Sequence, residues 1–430
     1  METYATVVLY AVPYFLAMIA VEWAVARRRG VSVMNAVDTL SSLASGTTNT
    51  LKTVLGLSVA VVSYDWLVDS VALYRIEATW LAVLVCFLAK DFGGYWNHRL
   101  NHEVNFFWNR HVIHHSSEEF NLACALRQSI SEVWVFFALF MLPAALLGVP
   151  TAVVAIVAPL HLFAQFWYHT RLIDKLPRWV EYVFVTPSHH RVHHAINDEY
   201  LDRNYAEVLI VWDRLFGTFQ PELADKPPVY GVKKAVGTWN PFVIGYQHLW
   251  RLVLDACRTA SWRDRLRIWF MPTGWRPADV AERYPIAGVL GGDAVYAQVK
   301  YDSRPSRWTV RLAWADFWVA QALMVHLFTH LGAIGWAAAL SYGGYLALTL
   351  FALTSLLDGS RWALAAGLLR LGVAASAVWV HGGWFGLEAL VPGAAAGVLA
   401  WTLLALAGAA AALRTGARAP APLHHALGSR

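Results

Sequence analysis

The chain has 430 residues, of which 57% are hydrophobic and only 15% charged, too little charge for a soluble domain of this length. Its formal net charge of +5 comes without any long Lys/Arg run, which argues against a nucleic-acid-binding surface. The three cysteines, Cys86, Cys124 and Cys257, are too far apart for a disulfide framework or a zinc knuckle.

In chain order, the first span is expected at about 4–24, within "YATVVLYAVPYFLAMIAVEWAV". It has no basic leader and no small-residue cleavage site, and "RRR" follows it, so it reads as a retained anchor. Further spans are expected at 50–68 and 78–97. A pair follows at 132–147 and 151–169, divided by "GVP". The first arm of that pair is short for a span, leaving a full hairpin or a shallow re-entrant one. Residues 170–305 are more polar and richer in Pro, Gly and charge, as befits a face on or outside the membrane. Within them "WRLVLDACRTASWRDRLRIWF" mixes aromatic and basic residues as an interfacial helix does. An Ala/Leu/Gly-rich tail then offers four apolar stretches near 309–328, 333–356, 362–382 and 392–413. The 22 tryptophans suit interfacial belts. The expected fold class is therefore all-α, a polytopic membrane helical bundle with an extra C-terminal four-helix membrane region. Arg27, Arg28 and Arg29 place the first loop in the cytosol by the positive-inside rule. Counting spans puts 98–131, 170–305 and the C-terminal "LRTGARAP" on the same side.

Histidines gather in this cytosolic layer. His98 and His102 make H-x3-H; His111, His114 and His115 make H-x2-H-H; His190, His193 and His194 make a second H-x2-H-H, with His189 beside it and His169 closing the 151–169 stretch. Helical residues three and four apart share a face. The two adjacent members of each H-x2-H-H box diverge by about 100° around the helix axis, so one can serve one metal and its neighbour a second. A metal takes about three to six ligands; the eight boxed histidines with His169 are too many for one ion and suit two. Imidazole binds iron, zinc and copper alike, so ligand type leaves the metal open. Elsewhere His326 and His330 make H-x3-H with no third box and read as packing or an interhelical hydrogen bond. His161 reads as packing, and His248 as a partner of the ligands or an interfacial residue. His381, His424 and His425 read as solvent or headgroup residues.

These three boxes resemble those of the fatty acid hydroxylase / sterol desaturase superfamily of membrane di-iron oxygenases. The flanks "HEVNFFWNRHVIHHSSEEFNLACALRQS" and "TPSHHRVHHAINDEYLDRNYAEVLIVWDRLFGTF" are similar to its alkylglycerol monooxygenase branch, over roughly 15–275. The resemblance implies two iron ions held by His98, His102, His111, His114, His115, His169, His190, His193 and His194. His189 is an added ligand or a partner of one. Many superfamily members carry a further histidine where this chain has Gln165, leaving one iron an open position or an amide neighbour. Glu103 follows the first box, as an acidic residue does in this branch. The implied activity uses dioxygen to hydroxylate, desaturate or oxidatively cleave a lipid at a C–H bond, the lipid being a sterol, a fatty acyl chain or an alkylglycerol. The branch implies a reduced pterin; with no haem domain evident, an external electron-donor protein is the other source of electrons.

Ligating histidines commonly give their second nitrogen to a carboxylate or carbonyl. That makes Asp91 and Glu103 the candidate catalytic residues, orienting ligand N–H groups or relaying protons; Asn204 and Asp213 are candidates for similar work. Phe166 and Trp167 are candidate substrate lining, and Lys90, Arg99 and Arg127 are expected to meet headgroups or snorkel. The expected organisation is an oxygenase domain at 1–275, a linker at 276–307 and a membrane region at 308–430. The expected place is an integral, multi-pass membrane protein with its metal site on the cytosolic face. A histidine-rich metal transporter and a haem electron carrier are the rival readings. A transporter site belongs at mid-membrane on broken helices, and a bis-histidine haem needs isolated histidines on facing spans.

Overall fold

The computed structural model describes residues 2–77 and 79–415. It is almost wholly helical: α1 (Glu2–Arg28), α2 (Ala36–Val54), α3 (Tyr64–Val71), α4 (Trp80–Glu103), α5 (Asn105–His115), α6 (Phe137–Phe140), α7 (Leu142–Leu146), α8 (Thr151–Phe163), α9 (Arg178–Val183), α10 (Pro187–His193), α11 (Val211–Phe216), α12 (Pro241–Arg258), α13 (Trp262–Arg267), α14 (Ala278–Arg283), α15 (Arg307–Thr329), α16 (Leu331–Ile334), α17 (Trp336–Leu357), α18 (Trp362–His381) and α19 (Ala394–Thr415). Among the described residues the one sheet is a two-residue parallel pairing of β1 (Val59–Ala60) with β2 (Trp134–Val135). Residues from 416 on, including His424 and His425, lie outside the described residues.

Five segments are long and apolar enough to cross a bilayer: Leu9–Arg28 within α1, then α15, α17, α18 and α19. This is an integral membrane protein. Large apolar side chains such as Leu368, Trp379 and Leu404 stand exposed on the tail helices, as a lipid-facing surface requires.

The span expected at 50–68 is not there. α2 starts on an Asn35 cap, whose side chain accepts from the amides of Val37 and Asp38. It stops at Gly56, whose φ of +66° favours glycine. The chain then pairs as β1, and Ser63 caps the short α3. Of the 132–147 and 151–169 pair, the first arm breaks into β2, α6 and α7. The second is α8, whose 13 residues reach only about 20 Å, short of the roughly 30 Å hydrocarbon core. That is the shallower of the two alternatives. By contrast α4 runs 24 residues, about 36 Å, and carries the first histidine box at its end.

The tail does not stand apart. Leu51, Val54 and Leu55 at the end of α2 share one core with Leu323, Leu327 and Phe328 of α15 and Tyr342, Tyr345 and Leu346 of α17. A second core joins Ile19, Leu40 and Leu43 to Phe317, Leu350 and Leu357. Within the segment expected as a linker, the Tyr301 amide donates to Glu118 and its hydroxyl to Asp358.

Candidate metal centre

Four pieces of chain carry the histidines to one place. α4 presents His98 and His102 one turn apart. The chain bends at Val104, and α5 presents His111, His114 and His115. Asn105 fixes that bend: its amide donates to the carbonyls of Ile268 and Trp275, each at 3.0 Å, and its Oδ1 accepts from Gly274. His169 follows α8. α10 opens with Pro187 at its first turn, where a missing N–H costs nothing, and presents His190, His193 and His194 at its end.

Two groups result. His98, His102, His111, His115 and His193 form one; His114, His169, His190 and His194 form the other. Within each group one nitrogen per ring lies within 4.8 Å of the rest. The adjacent pairs split between the groups: His115 and His193 to the first, His114 and His194 to the second, as the divergence of neighbours on a helix requires. The groups abut, for the His115 and His194 rings stack at 4.3 Å.

For four of the nine rings the hydrogen bonds settle which nitrogen points inward. His98 Nδ1 donates to the Tyr205 carbonyl at 2.7 Å, His193 to Arg203 at 2.9 Å, His169 to Gln165 at 3.0 Å and His114 to Arg127 at 3.2 Å. A carbonyl only accepts, so each Nδ1 carries the proton and each Nε2 a bare lone pair. These lone pairs converge: His98 Nε2 lies 2.8 Å from His111 Nε2, and His169 Nε2 lies 2.8 Å from His190 Nε2 and 3.4 Å from His114 Nε2. The Nε2 atoms of His102, His115 and His193 are buried with no hydrogen-bond partner. Burial, with the neighbouring rings, pushes His98, His114 and His169 down to about 3 and His111, His115, His190, His193 and His194 well below 6.5. Rings held neutral, with lone pairs aimed at one another in a dry interior, form a donor set that a cation completes.

Other expected residues fall elsewhere. His189 stands outside both groups; its ring leans on Phe219 at 5.5 Å, because it is the α10 residue turned away from its three ligand-like neighbours. Neither Asp91 nor Glu103 reaches a ring of either group: backbone carbonyls face four of the Nδ1 atoms, and His102 Nδ1 lies 3.5 Å from the Asp202 carboxylate. Asp91 is fully buried and accepts from the amides of Val208 and Leu209, from Trp212 Nε1 and from His161 Nε2. Glu103 pairs with Arg99 at 2.9 Å on the surface. Asn204 and Asp213 hold the loop that supplies the carbonyls of Arg203 and Tyr205. Asn204, at φ +55°, donates to the carbonyls of His189 and Gln220. Asp213 accepts from the Tyr205 and Ala206 amides, each at 2.8 Å, and its burial raises its carboxyl to about 6.

The cations expected at headgroups are spoken for. Arg127 is buried against Asp38 at 2.6 Å and also bonds Ser42 and Ser116. Lys90 pairs with Glu207 at 2.7 Å. Glu207 was not singled out from the sequence, where its one trace is a lone carboxylate in the apolar run "YAEVLIVW". Gln165 spends its side-chain amide on His161 at 3.1 Å and Glu207 at 3.3 Å, away from both groups. His161 is thus part of a buried polar network and not mere packing. His248 braces the bend through the Asn105 carbonyl at 2.9 Å. His326 reaches the Tyr342 hydroxyl at 3.2 Å, an interhelical hydrogen bond.

The fatty acid hydroxylase family model matches residues 83–218, a stretch that holds all nine of the converging histidines. Human alkylglycerol monooxygenase is 35% identical over 275 residues, covering 62% of this chain and 59% of that protein. The match thus spans less than two thirds of the human relative. Alkylglycerol monooxygenase of Xenopus tropicalis is 34% identical over 352 residues, covering 81% of this chain and 76% of the relative. The ornithine lipid hydroxylase of Rhizobium tropici is 31% identical over 137 residues, covering 32% and 41%. No solved structure matches the chain. The shared stretch with the frog enzyme runs well beyond the histidine layer, and with the family match it places this chain in the fatty acid hydroxylase family, in the branch of the alkylglycerol monooxygenases.

Proposed function

We propose that this chain is a di-iron oxygenase that uses dioxygen to hydroxylate, desaturate or oxidatively cleave a lipid at a C–H bond, with an alkylglycerol as the first substrate to test. One iron is held by His98, His102, His111, His115 and His193, the second by His114, His169, His190 and His194. The observation that carries this reading is the convergence of nine imidazoles in two groups, four of them locked by backbone carbonyls with Nε2 turned inward. Bound iron would supply the one-electron chemistry that dioxygen needs and that zinc lacks. A hydroxylation consumes one dioxygen, two electrons and two protons and yields the hydroxylated lipid and water. The electrons come from a separate reductant, a reduced pterin or an electron-donor protein.

The residues of the chain prepare this chemistry. The four carbonyl acceptors keep the rings in one tautomer, and burial keeps them neutral and so able to bind metal. Phe120, Trp108 and Tyr168 pack on the rings, with Phe120 5.2 Å from His194, Trp108 5.2 Å from His102 and Tyr168 4.4 Å from His190; they exclude water from the layer. Asp91 and Glu103 act in this reading as positioning residues, Asp91 by holding the backbone at 208–209 and Glu103 by holding Arg99.

The same reading puts the site on the cytosolic face. It is supported by Arg29, which donates to the Leu172 carbonyl at 2.7 Å, and by Arg171, which donates to the Ser32 carbonyl at 3.3 Å. Both bonds tie the basic loop after α1 to the chain just beyond His169. Residues 1–275 make the oxygenase unit, 276–307 the connection and 308–430 a companion membrane unit.

Metal analysis of the purified chain tests the reading, together with turnover of an alkylglycerol under a supplied reduced pterin. Two irons per chain and loss of the ether lipid are expected. A Soret band with one haem iron, or no oxygen-dependent change in any lipid offered, rejects it.

A further inference from the structure

Behind α10, on the side away from the converging rings, lies a cavity of about 310 Å³, at the lower end of the roughly 300–1,000 Å³ usual for small-molecule sites. Its walls bring Lys175 and Arg178, from the segment that opens α9, and Arg214 of α11 to meet Glu181, Glu222 and His189.

The two carboxylates are already satisfied. Both Glu222 oxygens are taken by Arg191, at 2.7–3.1 Å, a residue outside the wall. Glu181 Oε1 accepts from the Leu176 amide and from the hydroxyls of Thr186 and Ser188. With Glu222 neutralised by Arg191, three cations face one carboxylate, an excess of two positive charges. Lys175 Nζ donates to the Glu222 carbonyl at 2.9 Å and an Arg214 terminal nitrogen to the Glu181 carbonyl at 3.2 Å, while two buried polar atoms of the wall are left open. Arg214 is stacked 3.7 Å from the Phe219 ring centroid and 4.7 Å from that of Tyr182, and its buried Nε donates to nothing. His189, only 2% exposed, has a buried Nδ1 without a partner. A buried donor left unmade is costly, and a surplus of guanidinium and ammonium groups excludes a metal ion as the missing partner. A carboxylate offers two oxygens in a plane, whereas a phosphate offers three or four in a tetrahedron. Three cations supplied by two segments suit the tetrahedron, with arginine for paired bonds and lysine as a point charge. His189 Nδ1 then donates to a phosphate oxygen or accepts from a neighbouring hydroxyl of the ligand. Trp179 and Leu215, next in the chain to Arg178 and Arg214, stand exposed, and tryptophan is the kind of side chain found at the headgroup level.

We propose that this cavity binds a phosphate group, carried by a lipid headgroup or by a soluble phosphate ester, on the reverse side of the helix that bears His190, His193 and His194. The site is separate from the metal layer, and its occupancy does not depend on which metal is bound or which lipid is oxidised.

The test uses the full-length protein with its native metal content, in detergent for soluble ligands and in nanodiscs for lipids. One arm measures binding of glycerol 3-phosphate by equilibrium dialysis. The other measures, by native mass spectrometry, retention of phosphatidylglycerol against a diacylglycerol of the same chains. Lys175→Met with Arg178→Ala removes two exposed cations; Arg178→Ala alone is the milder variant, and unchanged metal content reports an intact fold. Binding in the first arm that falls at least about tenfold in the variants, as expected for lost charge-assisted bonds, assigns a soluble ester. The same fall confined to the second arm assigns a lipid headgroup. Absence of binding in both arms, binding that the variants leave intact, or equal binding of a fatty carboxylate overturns the proposal.

Discussion

His114 and His169 aim unprotonated Nε2 atoms at each other across 3.4 Å, each ring having given its Nδ1 proton to a backbone carbonyl. Two lone pairs at that distance repel unless a cation joins them. Replacing either ring with alanine should therefore empty the second group and leave the first. Iron content is expected to fall from two per chain to about one, and lipid turnover by more than the 10–100-fold typical of losing a ligand's hydrogen-bond partner. Unaltered iron content in both variants would show that this group holds none.

Asp213 controls the first group from a distance. It clamps the amides of Tyr205 and Ala206 so that the carbonyls of Arg203 and Tyr205 meet His193 and His98. Asp213→Ala leaves two buried amides unpaired, each costing about 1–3 kcal/mol. Chelator competition should show metal affinity lowered by about 10–100-fold, with the loss concentrated in one of the two ions.

Arg127 and Asp38 form a buried pair that backs His114, because the Arg127 carbonyl receives that ring's proton. Asp38→Ala strands the guanidinium and is expected to cost about 3–5 kcal/mol, read as a lowered unfolding temperature. Asp38→Ala with Arg127→Met removes both charges and should recover part of that loss. A double variant that loses the full sum of the two singles would mean that the residues act independently.

Acid should weaken the metal-free protein. His98, His114 and His169 fall from 6.5 to about 3 on folding, so between those values the unfolded chain binds more protons. Stability is fully present above about 6.5 and is lost as the pH falls from there toward 3. Unfolding temperatures at pH 7.5 and 5.5 should rank in that order. A more stable protein at pH 5.5 would contradict the buried, neutral state of these rings.

Gln165→His tests the position where the superfamily resemblance implies a further histidine. The Gln165 side chain turns to His161 and Glu207, so the new ring is expected to join that network and add no ligand. Iron stays at two per chain and its absorption spectrum stays unchanged; a shifted spectrum would mean that the side chain can swing into the second group.

Much of this was legible in the residues. The three boxes were visible because helical spacing alone forces their side chains together, and the split of His114 from His115 and of His193 from His194 follows from the angle between neighbours on a helix. The Nδ1 partners of His98, His114, His169 and His193 were not legible, because they are backbone carbonyls, which every residue carries and no sequence pattern marks. Arg127 and Lys90 looked like headgroup contacts because their partners, Asp38 and Glu207, lie 89 and 117 positions away. The broken span at 50–68 was hidden by its apolar composition, which cannot tell one long helix from α2, a turn and α3; Gly56 and Ser63 were the local signs.

The end of α2 is sealed by the tail helices through Leu51, Val54 and Leu55, and the start of the same helix carries Asp38, which grips Arg127, whose carbonyl steadies His114. A single rod thus runs from the lipid-facing bundle to the rim of the histidine layer. Trimming the chain back to its family-matched portion, residues 83–218, would remove that rod altogether, so the shortest working enzyme is longer than the stretch that carries its chemistry.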